Sequence, residues 1–387
     1  MATLGGSATA MLGGSRAVPH AAPIGGCTTM KITDVRTIPL RVPASTHLVR
    51  GSSDHIYCLL IELHTDVGHV GSSFVFAFHL DHLRVMDTLI AAVRESVIGE
   101  DPACSGRLVA NSWSRIRFLG QEGATAFAIS AVERASWDLV ARSAGLPLSQ
   151  LFGAVRDSVP VYVSGLWLSL TVDELVDQAD AHVTAGHRAI KMRVGKPETS
   201  EDLGRVRAVR TAVGPSVRLM VDANKRLTRE QALRLGRGLE DLDITWLEEP
   251  LDTQDLSGTA HLARALDVPI ALGESEFRSA GLARAVDAGA VDILMPDLGR
   301  VGGYREFFRA ADYAASRGLA VSPHHYPHEN LQLLASVPNG TYLEYLPWFD
   351  ELFEERIEVV DGRAHVPQGA GTGFTLNRNA IRQYIIE

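Results

Sequence analysis

Hydrophobic and polar positions alternate in two different ways along the chain, and the change comes near residue 155. Before that point, strand-like runs with a two-residue period come first, and longer stretches with apolar residues at helical spacing follow. The predicted strands cover 32–40, 55–64 and 69–76, and the predicted helices cover 83–97 and 126–143. Strands followed by helices are typical of an α+β domain, which we place at residues 30–155.

After residue 156, short apolar strands alternate with amphipathic helices such as 172–185, 229–239 and 303–316. This alternation requires parallel strands joined by crossover helices. Eight strands predict a closed (β/α)8 barrel of the TIM type over residues 156–350. An open doubly wound sheet is the alternative, but no G-x-G-x-x-G sequence follows the first strand. The predicted barrel strands are 159–164, 189–194, 218–222, 244–248, 270–273, 293–296, 320–322 and 342–346.

The two ends of the chain lie outside these patterns. Residues 1–29 are rich in Gly, Ala and Ser, lack periodicity and predict a disordered extension. A misassigned start is the other interpretation, because Met30 opens a clean strand pattern. Residues 351–387 predict one more strand, a Gly-rich loop and a short helix, a segment that we expect to return to the N-terminal domain.

Composition narrows the class of protein. The 387 residues are 46% hydrophobic and 21% charged, which is ordinary for a globular enzyme, and the net charge is −9. Since no Lys/Arg-rich run and no long apolar run occur, we expect neither nucleic acid nor a membrane as a partner. Three cysteines, Cys27, Cys58 and Cys104, make neither a disulfide framework nor a C-x-x-C zinc pair, so a cytoplasmic location is expected.

Ionisable residues stand at the end of nearly every predicted barrel strand, where active sites of such barrels lie. Asp222, Glu248 and Glu274 end three consecutive strands, each 26 residues from the next. Three carboxylates gathered at one point repel one another unless a divalent cation joins them. An all-oxygen ligand set favours Mg²⁺. Each carboxylate taken alone could instead be a solvated charge or a helix cap.

Two further pairs stand at strand ends, one on neighbouring strands and one on a single strand. Asp297 and His324 predict a dyad in which the carboxylate fixes the tautomer of the imidazole and raises its basicity. Lys191 and Arg193 alternate with Met192, so both point to one face of their strand, the barrel interior. Buried cations need anionic partners, and a carboxylate substrate together with the metal ligands would provide them. A structural ion pair is the alternative for Arg193.

Taken together, these motifs resemble the mandelate racemase subgroup of the enolase superfamily, over nearly the whole chain from Met30. The resemblance rests on the K-x-K/R, D-x-N, E-E-P and G-E motifs, the Asp–His dyad and the final Glu. It implies that the α+β domain caps the barrel, that Asp222, Glu248 and Glu274 bind Mg²⁺, and that the protein is a homo-oligomer, from dimer to octamer. It also implies roles for five other residues: Lys191 and Glu344 at the substrate carboxylate, His324 as the general base, Asp297 as its orienting partner, and Asn224 as a substrate or metal-site contact.

One departure from the subgroup pattern bears on the reaction. Racemases of the subgroup have a second Lys where this chain has Arg193, and racemisation needs a base on each face of the substrate carbon. Arginine stays protonated near neutral pH, so it is a poor proton acceptor and a good clamp for carboxylate or hydroxyl groups. One base, His324, suffices to remove the α-proton and to protonate a departing β-hydroxyl. The sequence therefore predicts dehydration of an acid sugar, an aldonate or aldarate.

Specificity is expected from the cap. The predicted loop 43–55 carries His47 and Arg50, whose polar and basic character suits a hydroxylated substrate. Trp167, just past the first barrel strand, is expected to pack on the substrate, with a core contact at the barrel rim as the alternative. Three alternatives stay open. A racemase or epimerase would need another acid, a cycloisomerase of the muconate type would prefer Lys in place of Asp297, and a non-catalytic binding protein would have lost a ligand or the base.

Overall fold

The computed structural model describes residues 30–48 and 51–386, and the side chains of residues 44–48 and 51–53 are not described. The predicted extension 1–29 and Arg50 therefore lie outside the described residues, as does the side chain of His47. In the described part of the chain, none of the helices has both the length and the hydropathy that a bilayer crossing needs.

The N-terminal domain is a three-stranded antiparallel sheet covered by three helices. Its strands are β1 (Ile32–Leu48), β2 (Gly51–Thr65) and β3 (Val70–Ala77), in the order β1-β2-β3. The helices are α1 (Leu80–Val97), α2 (Ser105–Arg115) and α3 (Ala124–Ala144). Apolar side chains of the sheet and of α1 and α3 form its core, since alternate strand residues and one stripe of each helix are buried.

The prediction of a loop at 43–55 is wrong, because residues 43–48 pair with residues 51–55 as the two strands of a β-hairpin. Pro43 is paired with His55, and after a register shift Thr46 is paired with Ser53 and Leu48 with Gly51. Pro43 and the small polar residues after it interrupt the hydrophobic alternation from which a strand is predicted. Backbone pairing extends both strands beyond the part of the sequence with apolar alternation.

After a short helix, α4 (Leu148–Leu151), the chain forms a closed barrel of eight parallel strands. The ring closes because β11 pairs with β4, and Val321 of β10 accepts a 2.8 Å hydrogen bond from the amide of Thr341, just before β11. The strands are β4 (Ser158–Ser164), β5 (Ala189–Arg193), β6 (Arg218–Asp222), β7 (Ile244–Glu248), β8 (Ile270–Leu272), β9 (Ile293–Leu294), β10 (Ala320–Val321) and β11 (Leu343–Tyr345).

Helices surround the barrel, and side chains fill its interior. The helices are α5 (Val172–Thr184), α6 (Thr199–Val213), α7 (Arg229–Leu239), α8 (Leu256–Ala265), α9 (Arg278–Asp287), the one-turn α10 (Leu298–Val301), α11 (Tyr304–Ser316) and α12 (Pro327–Leu334). Inside the barrel, Tyr162, Met220, Trp246 and Met295 form a packed apolar layer. The strand ends therefore rest on a solid floor instead of lining a pore.

The C-terminal segment contacts both domains. It contains two short strands, β12 (Val359–Val360) and β13 (Arg363–His365), where the sequence predicted one. Strand β13 pairs antiparallel with the start of β4, and the last helix, α13 (Arg378–Tyr384), leads to a bridge between Ile385 and Leu40 of β1. The segment thus ties the lower end of the barrel to the N-terminal sheet.

Candidate active site

The predicted site residues of the barrel meet at one rim. Lys191, Asp222, Glu248 and Glu344 lie within strands, whereas Glu274, Asp297 and His324 come two or three residues after the ends of theirs. Because all eight strands are parallel, their carboxyl ends share one end of the barrel. All seven side chains are buried, so each charge depends on its neighbours for compensation.

Asp222, Glu248 and Glu274 each present a carboxylate oxygen within 4.8 Å of the other two. Burial, with repulsion from the Asp222 carboxylate, raises the pKa of Glu248 to about 8 although Lys191 opposes this. Six buried carboxylates gather at this rim against four fixed cations, so two negative charges remain when every carboxylate is ionised. The carboxylates are Asp222, Glu248, Glu249, Glu274, Asp297 and Glu344, and the cations are Lys191, Arg193, Lys225 and Arg300. A divalent cation on three oxygen donors fits this imbalance.

A second group with metal-ligating atoms, His324, His325 and Glu344, suits a metal less well. One oxygen of Glu344 is 2.8 Å from the Lys191 ammonium, and the other accepts a 3.0 Å hydrogen bond from the His325 amide. This group brings a single carboxylate, which has the Lys191 cation beside it, whereas the first group gathers three carboxylates whose charge a divalent cation would balance. The cluster of Asp222, Glu248 and Glu274, which we call the metal cluster, is the better candidate metal site.

Lys191 lies beneath the cluster and is fully buried. Its ammonium donates to both oxygens of Glu248 at 2.8 and 2.9 Å and contacts Glu344 at 2.8 Å. Although burial alone would lower it, these carboxylates raise the pKa of Lys191 above its ordinary value. Lys191 therefore stays charged and orients one carboxylate of the metal cluster and the carboxylate of the last strand.

Arg193 faces the cavity above Lys191. Its guanidinium forms an ion pair with Asp222, donates to the Ser164 hydroxyl at 3.2 Å, and lies 5.1 Å from the ring centroid of Trp167. Burial alone would lower the pKa of Arg193, but the adjacent Asp222 raises it above its ordinary value. The side chain is therefore a permanent cation that is fixed on three sides and cannot accept a proton.

His324 and Asp297 form the predicted dyad. The Nδ1 atom of His324 is 2.8 Å from an Asp297 oxygen, and its Nε2 atom is 3.2 Å from a Glu274 oxygen. Burial opposes the charged form, but these two carboxylates raise the pKa of His324 above its ordinary value. With Nδ1 donating to Asp297, Nε2 is the proton-accepting nitrogen, and it faces the metal cluster.

Asn224 lies beside the metal cluster, as predicted from the D-x-N motif. Its side-chain amide donates to Asp222 at 3.1 Å, and its backbone amide donates to the other Asp222 oxygen at 2.7 Å. Asn224, at φ 42°, and Lys225, at φ 63°, both adopt the left-handed conformation. Such residues are held by their surroundings at a cost of about 1–3 kcal/mol each.

Several residues of the site were not predicted from the sequence. Lys225 contacts Glu249 at 3.1 Å and Glu274 at 3.6 Å, and Arg300 donates to the Glu274 carbonyl at 2.7 Å. The sequence offered a signal for Lys225, which directly follows the D-x-N motif, and for Glu249, which is the second Glu of the E-E-P motif. Arg300 follows Asp297 by one helical turn and gave no comparable signal.

A cavity of about 800 Å³ lies between this rim and the cap. Barrel residues Arg193, Asn224, Glu274 and His324 line its floor. Trp167 also lines it, stacked on Trp348 with ring centroids 6.2 Å apart. Among the described residues, the cap contributes aromatic and histidine side chains. They are His55, Tyr57, Phe76, Phe78, His79 and His82.

The fold and site define a capped (β/α)8 barrel with a three-carboxylate metal site and an Asp–His dyad. Two family models cover nearly all of the chain. "Mandelate racemase / muconate lactonizing enzyme, N-terminal domain" matches residues 28–153, and "Enolase C-terminal domain-like" matches residues 174–380. The chain belongs to the mandelate racemase/muconate lactonizing enzyme family of the enolase superfamily.

Relatives of known name include dehydratases and cycloisomerases. The chain is 38% identical over 291 residues to L-talarate/galactarate dehydratase of Salmonella typhimurium, which covers 75% of this chain and 73% of the relative. It is 34% identical to 3,6-anhydro-alpha-L-galactonate cycloisomerase of Streptomyces coelicolor, over 89% of this chain and 96% of that one. A solved structure of L-talarate dehydratase from Polaromonas, complexed with Mg and L-glucarate, has a TM-score of 0.87 and 35% identity, covering 92% and 98% of the two chains.

Proposed function

We propose that this protein is a magnesium-dependent acid sugar dehydratase. The observation that carries the proposal is the asymmetry of the cavity floor, where His324 can accept a proton and the fixed cation Arg193 cannot. A single base can remove an α-proton and then protonate a leaving hydroxyl, which is what β-elimination of water requires. The dehydratases among its relatives support the same class of reaction.

Asp222, Glu248 and Glu274 would hold the magnesium ion, which would supply electrostatic stabilisation of the charge that develops on the substrate carboxylate. His324 removes the α-proton through Nε2, and Asp297 stabilises the imidazolium that results. Arg193 and Asn224 hold substrate oxygens, and Trp167 packs against the substrate. Lys191 and Glu344 contribute through the buried ion pair that fixes Glu248 in place.

The substrate class is a hydroxylated carboxylate, an aldonate or an aldarate. The cavity floor supplies charged and hydrogen-bonding groups at one end, and the volume of about 800 Å³ accommodates a molecule of the size of a sugar acid. A carboxylate at the metal end would place the adjacent C–H bond within reach of His324.

A cycloisomerase acting on a cyclic sugar acid is the second candidate. The aromatic wall that Phe76, Phe78, Trp167 and Trp348 contribute favours it, because flat aromatic faces suit the apolar face of a sugar ring. This reaction also begins with α-proton removal by one base. A racemase or epimerase is disfavoured because Arg193 cannot supply the second base, and a binding protein is disfavoured because the ligands and the base are all present.

The deciding experiment is a screen of aldonates, aldarates and cyclic sugar acids with Mg²⁺ in D₂O. A dehydratase gives a 2-keto-3-deoxy acid from one or a few stereoisomers, and a cycloisomerase gives a ring-opened isomer without loss of water. A C2 epimer without keto acid would contradict the proposal. His324→Asn serves as the control: we expect turnover to fall by about 10²–10⁴-fold while Mg²⁺ binding persists.

A further inference from the structure

The turn that carries His324 adopts a costly backbone conformation. His325 has φ 50° and Tyr326 has φ 46°, so two consecutive residues other than glycine lie in the left-handed region. In this region the Cβ atom crowds the following carbonyl oxygen, and such a turn persists only when neighbouring groups hold it. The residues that hold this turn therefore also decide where the His324 side chain points.

Asn330 of α12 is the side chain that reaches the two carbonyl groups of this turn. Its Nδ2 atom donates to the His325 carbonyl at 2.7 Å and lies 3.4 Å from the His324 carbonyl. Carbonyl oxygens only accept hydrogen bonds, so the amide nitrogen must face them and the orientation of the side chain is fixed. Asn330 is fully buried and does not line the cavity, so it has no direct route to a substrate.

Other residues bind the backbone amide of the turn and the imidazole of His324. The His325 backbone amide donates to Glu344 at 3.0 Å, while Asp297 holds Nδ1 of His324 at 2.8 Å. Without Asn330, the carbonyl side of the turn would keep no side-chain partner among the described residues. The turn could then relax toward the ordinary right-handed region and swing the imidazole away from the metal cluster.

We propose that Asn330 is a positioning residue for the reaction, acting through the backbone of the turn at residues 324–326 to hold the imidazole of His324 in its proton-accepting place. The proposal rests on the proposed function only in taking His324 as the base. Because Asn330 lies outside the cavity, its loss should slow the proton-transfer step and leave substrate affinity nearly unchanged.

The same helix offers a matched control in Gln332. It is also fully buried, and its amide nitrogen donates to the carbonyls of Pro367 and Thr372 at 2.9 Å each. Its amide oxygen accepts a 2.9 Å hydrogen bond from Ser149. Gln332 therefore secures the C-terminal segment and does not hold the turn. Truncating it removes at least as many buried hydrogen bonds, without freeing His324.

The test compares Asn330→Ala with Gln332→Ala in the intact enzyme loaded with Mg²⁺. For Asn330→Ala we expect kcat to fall on the order of ten- to a hundredfold with KM within about threefold, since small misplacement of a reacting group can cost about 10²-fold. The primary isotope effect of an α-deuterated substrate should rise. Gln332→Ala should lose stability but keep kcat per folded molecule within about twofold. Equal losses of kcat in the two variants would overturn the proposal.

Hydrogen–deuterium exchange, measured without substrate, keeps the two proposals separable. Asn330→Ala should speed exchange in the peptide covering residues 322–330, whereas Gln332→Ala should speed it in residues 366–376. Unchanged exchange in the first peptide would refute the positioning role of Asn330 even if dehydratase activity is found. If the wild type dehydrates nothing, the proposed function fails, and this measurement still tests whether Asn330 holds the turn. Asn330→Ser, a milder change, replaces Asn330→Ala if the latter does not fold.

Discussion

Arg193 and His324 both face the cavity, and only the imidazole can accept a proton near neutral pH. The sequence already indicated that Arg193 is not a base, because it stands where racemases of the subgroup have lysine. Its contacts support the same conclusion, since the Asp222 carboxylate and the Trp167 ring hold the charged guanidinium in place. Under the proposed function, the identity of this one side chain decides between elimination and racemisation.

Replacing Arg193 by lysine should therefore add a second base. We expect Arg193→Lys to exchange the α-proton of recovered substrate with D₂O and to form some C2 epimer, at a dehydration rate lowered about tenfold or more. The reason is that an ammonium group can lose its proton, whereas guanidinium cannot. Proton NMR of the recovered substrate measures both outcomes.

Arg193→Gln is the control for this substitution, because it removes the charge without providing a base. It should slow dehydration without any epimer. If Arg193→Lys and Arg193→Gln behave alike, the arginine does not determine the outcome of the reaction.

At the scale of elements, the sheet and α3 of the cap pack against each other through a glycine. A Cβ atom placed on Gly71 of β3 would lie 2.3 Å from the Ala135 carbonyl oxygen and 2.5 Å from the Leu139 backbone nitrogen, both on α3. Neither atom can move without displacing the helix. This close approach also positions the end of β3, whose Phe76 lines the cavity.

Gly71→Ala should accordingly destabilise the protein by about 3 kcal/mol or more, at the upper end of overpacking costs. The matched substitution is Gly204→Ala in the middle of α6, where nothing lies within 4 Å of the added methyl group. That variant should gain about 0.5–1 kcal/mol, because alanine has the higher helix propensity. Denaturant unfolding measures both values, and a Gly71→Ala protein of wild-type stability would contradict the described packing.

Element positions were predictable where periodicity and burial agree. Strands β6 and β7 and helix α7 have the predicted bounds, and the rule that barrel sites lie at strand ends located the candidate metal ligands and the dyad. The hairpin at the end of β1 was missed because backbone pairing extends it without apolar alternation. Helix α2 and the second C-terminal strand were also not predicted.

Residues whose roles come from tertiary contact were beyond sequence reasoning. Asn330 resembles any polar residue of a short helix until the left-handed turn beside it is known. Arg300 differs from a surface cation only in facing the carboxylate cluster. Their significance depends on which elements meet, which no local pattern records.

At the scale of the whole molecule, the uncompensated charge at the barrel rim links metal binding to stability. A ligand that binds only the folded state stabilises it by about 2.7 kcal/mol at 100 times its Kd. We therefore expect the melting temperature to rise with Mg²⁺ and to fall back when a chelator removes it. Thermal scans over a range of Mg²⁺ concentrations measure the effect.

Two variants test where this stabilisation arises. Asp222→Asn removes a ligand charge and should abolish most of the rise. Glu230→Gln removes an exposed carboxylate of α7 that pairs with Arg234 on the surface, and it should leave the rise intact. If both variants respond to Mg²⁺ like the wild type, the ion stabilises the protein from another site.

A buried ion pair joins the cap to the barrel. Arg134 of α3 donates to Glu329 of α12 at 2.6 Å and to the Phe74 carbonyl of β3 at 2.6 Å, and the Tyr304 hydroxyl donates to the other Glu329 oxygen at 2.6 Å. Both charges are buried, so neither can turn to water if its partner is removed. The position of the cap on the barrel therefore depends on these hydrogen bonds and this ion pair as well as on apolar packing.

Removing either partner alone should be costly, because it leaves the other charge buried and unpaired. Arg134→Met leaves a buried carboxylate without its cation, at a cost of about 3–5 kcal/mol, and Glu329→Gln leaves a buried arginine unpaired. The double variant should cost less than the sum of the two by about 0.5–3 kcal/mol. By contrast, Arg94→Met breaks a half-exposed pair with Asp34 within the cap and should cost less than about 1 kcal/mol. Denaturant unfolding of the four variants measures these values, and additive single costs would mean that Arg134 and Glu329 stabilise cap and barrel independently.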